Sequence, residues 1–274
     1  MDKSDTSPPR EVRLPAFAGR FYPAEPAALR DLIQTLLAQV PAAIGPAPKA
    51  LIAPHAGYVY SGPIAASAYA RFLPERDVIQ RIVLLGPSHF VAVDGLATSS
   101  AEAFATPLGV VPIDLEATRQ IRSLPQVREL DAAHAREHSL EVQLPFLQTV
   151  LADFTLVPLT VGEASPEDIA EVIETLWDGA ETRFVISSDL SHYHDLQTAH
   201  RLDSTTAKAI EALKPNGIGS DRACGCIPIR GLLQVARRHH LHACTLDLRT
   251  SGDTAGPRDQ VVGYGAFAFE EQAQ

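Results

Sequence analysis

The sequence predicts an α/β fold, a single domain with a mixed, mostly parallel central sheet covered by helices. Short runs rich in Val, Ile and Leu alternate with helical patterns along most of the chain. The last two strand-like runs are joined by a loop alone, which predicts an antiparallel pair at the end. Three apolar runs also end on histidine: residues 50–55 close on His55, 81–89 on His89 and 185–192 on His192. In open α/β sheets ligands bind beyond the carboxyl ends of the strands, so three imidazoles delivered there could converge on one point.

Each element follows from local pattern. Residues 1–12 are polar and lack an apolar signal core, and they are expected to be a disordered leader to one domain over 13–274. Helical spacing of Leu29, Leu32, Ile33, Leu36 and Leu37 behind Pro26 predicts the first helix. A Pro/Ala/Gly linker over 41–48 leads to a core strand at 49–53, a helix at 62–72 and a second buried strand at 81–85. A strand is expected at 110–113, a helix at 115–124, a loop to Arg136, and one helix over 139–151 despite Pro145. A strand at 154–161 precedes a helix opened by Ser165-Pro166-Glu167-Asp168, an N-cap, a first-turn proline and acids that suit the dipole. Residues 184–188 form the next buried strand, 199–213 and 227–239 are helices, and 242–248 and 261–269 are the late strands.

Composition narrows the function. The 274 residues carry a net charge of −10, and 46% are apolar. That acidic balance argues against a nucleic-acid footprint, which needs a basic stripe. The one dense basic patch, Arg237-Arg238-His239-His240, ends a helix and complements its dipole. No apolar stretch approaches the roughly 18 residues of a membrane span, and a cytoplasmic location is expected. Three cysteines in a chain of this length do not suggest a disulfide framework.

Five constellations could carry chemistry. In Pro54-His55-Ala56-Gly57-Tyr58-Val59-Tyr60, small residues let the backbone turn tightly, and Tyr58 and Tyr60 could offer hydroxyls to a substrate. Gly86-Pro87-Ser88-His89 repeats that design. In Ser187-Ser188-Asp189-Leu190-Ser191-His192-Tyr193-His194, Asp189 could orient an imidazole, and His192 and His194 would point to one side of an extended chain. Cys224, beside Gly225 and ahead of a helix, is expected to have a lowered thiol pKa, with Cys226 a bystander and Cys244 in the core. Glu137-His138-Ser139-Leu140-Glu141 places His138 and Glu141 on one helical face, either as a capping cluster or as support for a nearby site.

Residues 16–23, 53–62, 85–89, 137–145, 187–192 and 224–228 together resemble the successive signatures of the Memo family, across nearly the whole chain. That family is similar in fold to class III extradiol dioxygenases, non-haem iron enzymes that use two histidines and a glutamate. The resemblance implies His55, His89 and Cys224 as metal ligands and His192 as catalytic histidine supported by Asp189, while local pattern places Tyr58, Tyr60, His138 and Glu141 as the residues expected near the substrate. Thiolate in place of carboxylate moves the preference from plain Fe(II) toward copper or zinc. The resemblance also implies a radical-SAM system partner. Three functions follow: metal-dependent redox or oxygen chemistry on a small-molecule or peptide ligand, zinc-type hydrolysis, or a binding module that reuses an enzyme cleft.

Overall fold

The computed structural model describes residues 11–271, so most of the expected leader lies outside the described residues. Its residues 11 and 12 are described, and Val12 opens β1 (Val12–Arg13), which pairs parallel with Ala103 and Phe104. The first helix, α1 (Pro26–Ala38), runs close to its expected span. The first core strand is β2 (Ala50–Ala53), followed by α2 (Tyr58–Tyr69). That helix starts four residues earlier than expected, at Tyr58, with Gly57 as its N-cap, and tolerates Pro63 inside it. Next come β3 (Arg81–Pro87), β4 (Leu96–Thr98) and the hairpin of β5 (Ala103–Thr106) and β6 (Gly109–Pro112). With β1 this hairpin makes a small separate sheet.

The helix expected at 115–124 is present as α3 (Leu115–Ile121), whereas the stretch expected as a loop to Arg136 holds β7 (Val127–Glu129) and α4 (Ala132–Ala135). The single helix expected over 139–151 is broken into α5 (His138–Glu141) and α6 (Leu144–Val150). Pro145 explains the break, because it has no N–H for the carbonyl one turn back and instead sits near the start of the second helix. Then follow β8 (Thr155–Val161), α7 (Pro166–Thr175) with its Ser165 capping box, and β9 (Thr182–Ser187). The chain continues through β10 (His192–His194), α8 (Leu196–Glu211), α9 (Cys226–Arg238), β11 (His242–Thr250), α10 (Ser251–Thr254) and β12 (Val261–Glu270).

The large sheet runs β10-β12-β2-β9-β3-β8-β4-β7, with β11 on β12. Its centre, β2-β9-β3-β8, is parallel, and β12 and β4 join antiparallel on either side. The expected α/β class and the antiparallel late pair are both present. Side chains alternate between two cores, as period-2 strands require. Leu51, Ile82, Leu84 and Val185 face α1, α2 and α6, whereas Ile52, Val83, Leu85 and Ile186 face α7 and α9. In the parallel ladder Ala53 pairs with Ser187, and Leu85 with Ile186. The strand ends are therefore level, and His55, His89 and Asp189 emerge side by side.

Candidate metal centre

A cavity of about 840 Å³ opens over these strand ends. His55, Tyr60, His89, His138, Asp189, His192, His194 and Cys224 all line it. Among the described residues, His55, His89 and His138 present ligand atoms within 4.8 Å of one another, a group able to hold a metal ion. The convergence is the expected one for His55 and His89, but the imidazole that joins them in this group is His138 rather than His192.

Each imidazole is held from behind. His55 is buried, and its Nδ1 lies 2.8 Å from Ser187 Oγ. Its backbone N–H donates to Asp189 Oδ1 at 2.8 Å. His89 is gripped twice by Glu137, whose Oε1 lies 2.8 Å from Nδ1 and whose Oε2 accepts the backbone N–H at 2.7 Å. Burial alone would raise the Glu137 pKa, but these bonds and the Ser139 N–H outweigh it and bring the carboxyl down to about 2. The ionised carboxylate can only accept, so His89 carries its proton on Nδ1 and turns Nε2 outward. His138 stacks on His89 at 4.6 Å between ring centroids and is flanked by Phe21 at 4.9 Å and Phe17 at 5.3 Å. Burial, then the neighbouring imidazoles, push His138 down to about 4. Burial, then His89, push His55 down to about 3. Both are neutral, the form in which an imidazole can bind a metal.

Cys224 stands beside this group, with Sγ 3.4 Å from His55 Nε2. The Asp189 N–H points at the same sulfur at 3.2 Å. The expected lowered thiol pKa is not found. Burial, and then the Asp189 charge, push it up to about 12. The Asp189 and Gly225 N–H groups and the Ser188 hydroxyl act in the opposite direction without outweighing burial. Gly225 permits the close approach: a Cβ there would lie 2.7 Å from Ser188 Cβ and 2.8 Å from Ser187 O. Cys226 is buried in the α7/α9 core, and Cys244 lies partly buried in β11 against the other.

Two residues expected to face substrate do not. Tyr58 is buried and donates its hydroxyl to Val142 O at 2.7 Å, because α2 begins at this residue and turns it inward. Glu141 is sealed from the cavity. It takes Arg13 Nη1 at 2.7 Å, the Ala16 and Phe17 N–H groups at 2.8 Å and the Tyr22 hydroxyl at 2.6 Å. It thus ties down the 16–22 loop that brings Phe17 and Phe21 to His138. Tyr60 and His138 do line the cavity.

The third constellation is also rearranged. Asp189 accepts from the His55 backbone rather than from His192, and no hydrogen bond joins Asp189 to His192 among the described residues. Burial first raises the Asp189 pKa. His192 and His194 pair with β12 through a bulge, with Tyr193 between them at φ 61°. The left-handed residue breaks simple alternation, and both histidines reach the cavity.

The Memo-like protein family matches residues 13–268. The chain belongs to the Memo-like family. A MEMO1 family protein of Methanopyrus kandleri is 36% identical over 282 residues, covering 94% of this chain and 98% of that one. A MEMO1 family protein of Aquifex aeolicus is 34% identical over 269 residues, covering 94% and 99%. One from Saccharolobus islandicus is 36% identical over 287 residues, with the same coverage. Sequence reasoning missed the clustering of His138 with the two strand-end histidines and the aromatic clamp of Phe17 and Phe21. The only available signal for these Memo-like features was that they fall inside the longer signature segments.

Proposed function

We propose that this Memo-like cavity holds one metal ion through His55, His89 and Cys224, and that the site performs redox or oxygen chemistry on a small organic ligand. The observation that carries the reading is the His55 Nε2 to Cys224 Sγ spacing of 3.4 Å. One tetrahedral ion with metal–nitrogen and metal–sulfur bonds of ordinary length spans about 3.6 Å between such donors. His55, His89 and His138 bring ligand atoms within 4.8 Å of one another, and Cys224 joins that group through its contact with His55.

A mixed nitrogen and sulfur set suits zinc, copper or iron, and a bound ion would supply Lewis acidity and, where redox-active, electron transfer. The chain's own groups do the rest. His192, in the wall of the cavity, is assigned to moving a proton to and from the ligand. Phe21, Tyr60 and Tyr264 give the cavity apolar faces. No Lys or Arg occurs among the described lining residues, which favours a neutral ligand over a polyanion.

The test is metal analysis of untagged protein purified without chelator, followed by uptake of Fe(II), Cu and Zn. About one ion per chain is expected for the wild type and a clear loss for His55→Ala and Cys224→Ala. Absence of bound metal together with no uptake by the wild type rejects the site. Redox-silent zinc with hydrolytic turnover, and no oxygen consumption with any ligand, rejects the redox reading alone.

A further inference from the structure

The Ser187 hydroxyl lies at the end of β9, fully buried, and touches three polar groups. Ser139 O is 2.6 Å away, Gln143 Nε2 2.7 Å and His55 Nδ1 2.8 Å. A serine hydroxyl has one hydrogen and two lone pairs, so three contacts exhaust it. The Ser139 carbonyl can only accept, and therefore takes the hydroxyl hydrogen. The Gln143 amide nitrogen can only donate, and fills one lone pair. The remaining lone pair must receive a hydrogen from His55.

The orientation of the Gln143 amide is itself fixed. Its nitrogen also faces Pro54 O at 3.0 Å, and its oxygen accepts the Tyr69 hydroxyl at 2.7 Å. Turning the amide over would set oxygen against oxygen at Pro54. Gln143 and Tyr69 are buried along with Ser187.

We propose that Ser187, oriented by Gln143 and Tyr69, is a positioning residue that holds the His55 proton on Nδ1 and so keeps the Nε2 lone pair aimed into the cavity at Cys224. This rests on the metal-site reading for its purpose but not for its geometry. Glu137 does the same for His89 by another route, an ionised carboxylate, so the two imidazoles are set by two chemically different partners. With the opposite tautomer, His55 would point an N–H at the sulfur and at any cation there, and would offer no lone pair. In the proposed arrangement the Cys224 thiol donates to His55 Nε2 until a cation replaces its hydrogen.

The experiment is long-range proton–nitrogen NMR of the metal-free, full-length protein labelled with 15N-histidine, with His55 assigned by its loss in His55→Gln. The wild type is expected to show His55 as the Nδ1–H form. Ser187→Ala is expected to shift it toward Nε2–H and to weaken Zn²⁺ binding by about 10- to 100-fold. Ser187→Thr, which retains the hydroxyl, is expected to restore both. A wild-type His55 found mainly as Nε2–H overturns the proposal whether or not the variants fold. So does a folded Ser187→Ala protein whose His55 remains Nδ1–H. A wild type that binds no metal but shows the Nδ1–H form would reject the metal reading and leave the tautomer assignment standing.

Discussion

Whether Cys224 is a metal ligand can be read from protons. Its thiol, pushed up to about 12, stays S–H throughout the neutral range. A cation that takes the sulfur as thiolate must expel that hydrogen, whereas His55 and His138, held near 3 and 4, have none to release. Zinc affinity should therefore rise about tenfold per pH unit between pH 8 and 9, with close to one proton released per ion. Ionising the thiol at pH 7 costs about 7 kcal/mol, from about 1.36 kcal/mol per unit over some five units. An ordinary thiol already bears part of that cost, so the buried Cys224 thiol weakens binding at pH 7 relative to an exposed one, and the deficit closes as pH rises. Calorimetry with a competing chelator, in two buffers of different ionisation heat, measures both slope and proton count. Cys224→Ser should flatten the slope and abolish the release. A wild-type affinity that is independent of pH, with no proton released, would refute the thiolate ligand and leave the three imidazoles as the donor set.

Other perturbations test the support around the site. Glu141→Ala leaves Arg13 buried without its carboxylate and should cost about 3–5 kcal/mol in urea unfolding; a loss under 1 kcal/mol would contradict the tether. The Glu137 carboxyl is held at about 2 in the folded chain, below its unfolded value. Its stabilisation of about 3 kcal/mol is complete above about pH 4.5 and disappears as pH falls toward 2. Glu137→Gln should reduce that acid dependence, measured as the urea midpoint at pH 7 against pH 3. Gly225→Ala places a methyl against Ser188 and should destabilise by about 1–3 kcal/mol. It should also weaken zinc binding, and an unchanged affinity would show that the approach of Cys224 does not need that glycine.

Much of this architecture was legible because it is written in local pattern. The Leu29–Leu36 stripe, the Ser165 cap and the buried runs at 81–85 and 184–188 each specify an element without distant partners. The strand-end position of His55 and His89 could be read for the same reason. What escaped was set by tertiary contact. β4, β5 and β7 are only three or four residues long and gain their form from neighbours in the sheets. Tyr58 and Tyr60 sit two apart in one motif, yet the start of α2 sends one into the core and the other to the cavity. Helix-start reasoning gave Cys224 a lowered pKa, whereas burial beside a carboxylate decides it. Asp189 was assigned to the histidine three residues later, but the level strand ends offered it the backbone of His55 instead.

The parallel pairing of β2 with β9 sets when the centre can exist. Ala53 meets Ser187, and the sulfur facing His55 arrives later still, with Cys224. Contacts of such long sequence separation form slowly and late, after loop-closure entropy has been overcome. A growing chain that has released only residues 1–150 carries His55, His89 and His138 but neither the serine that sets the first nor the thiol beside it. A chain that ends before Cys224 therefore lacks the sulfur that faces His55, and one that ends before Ser187 lacks its Nδ1 partner as well.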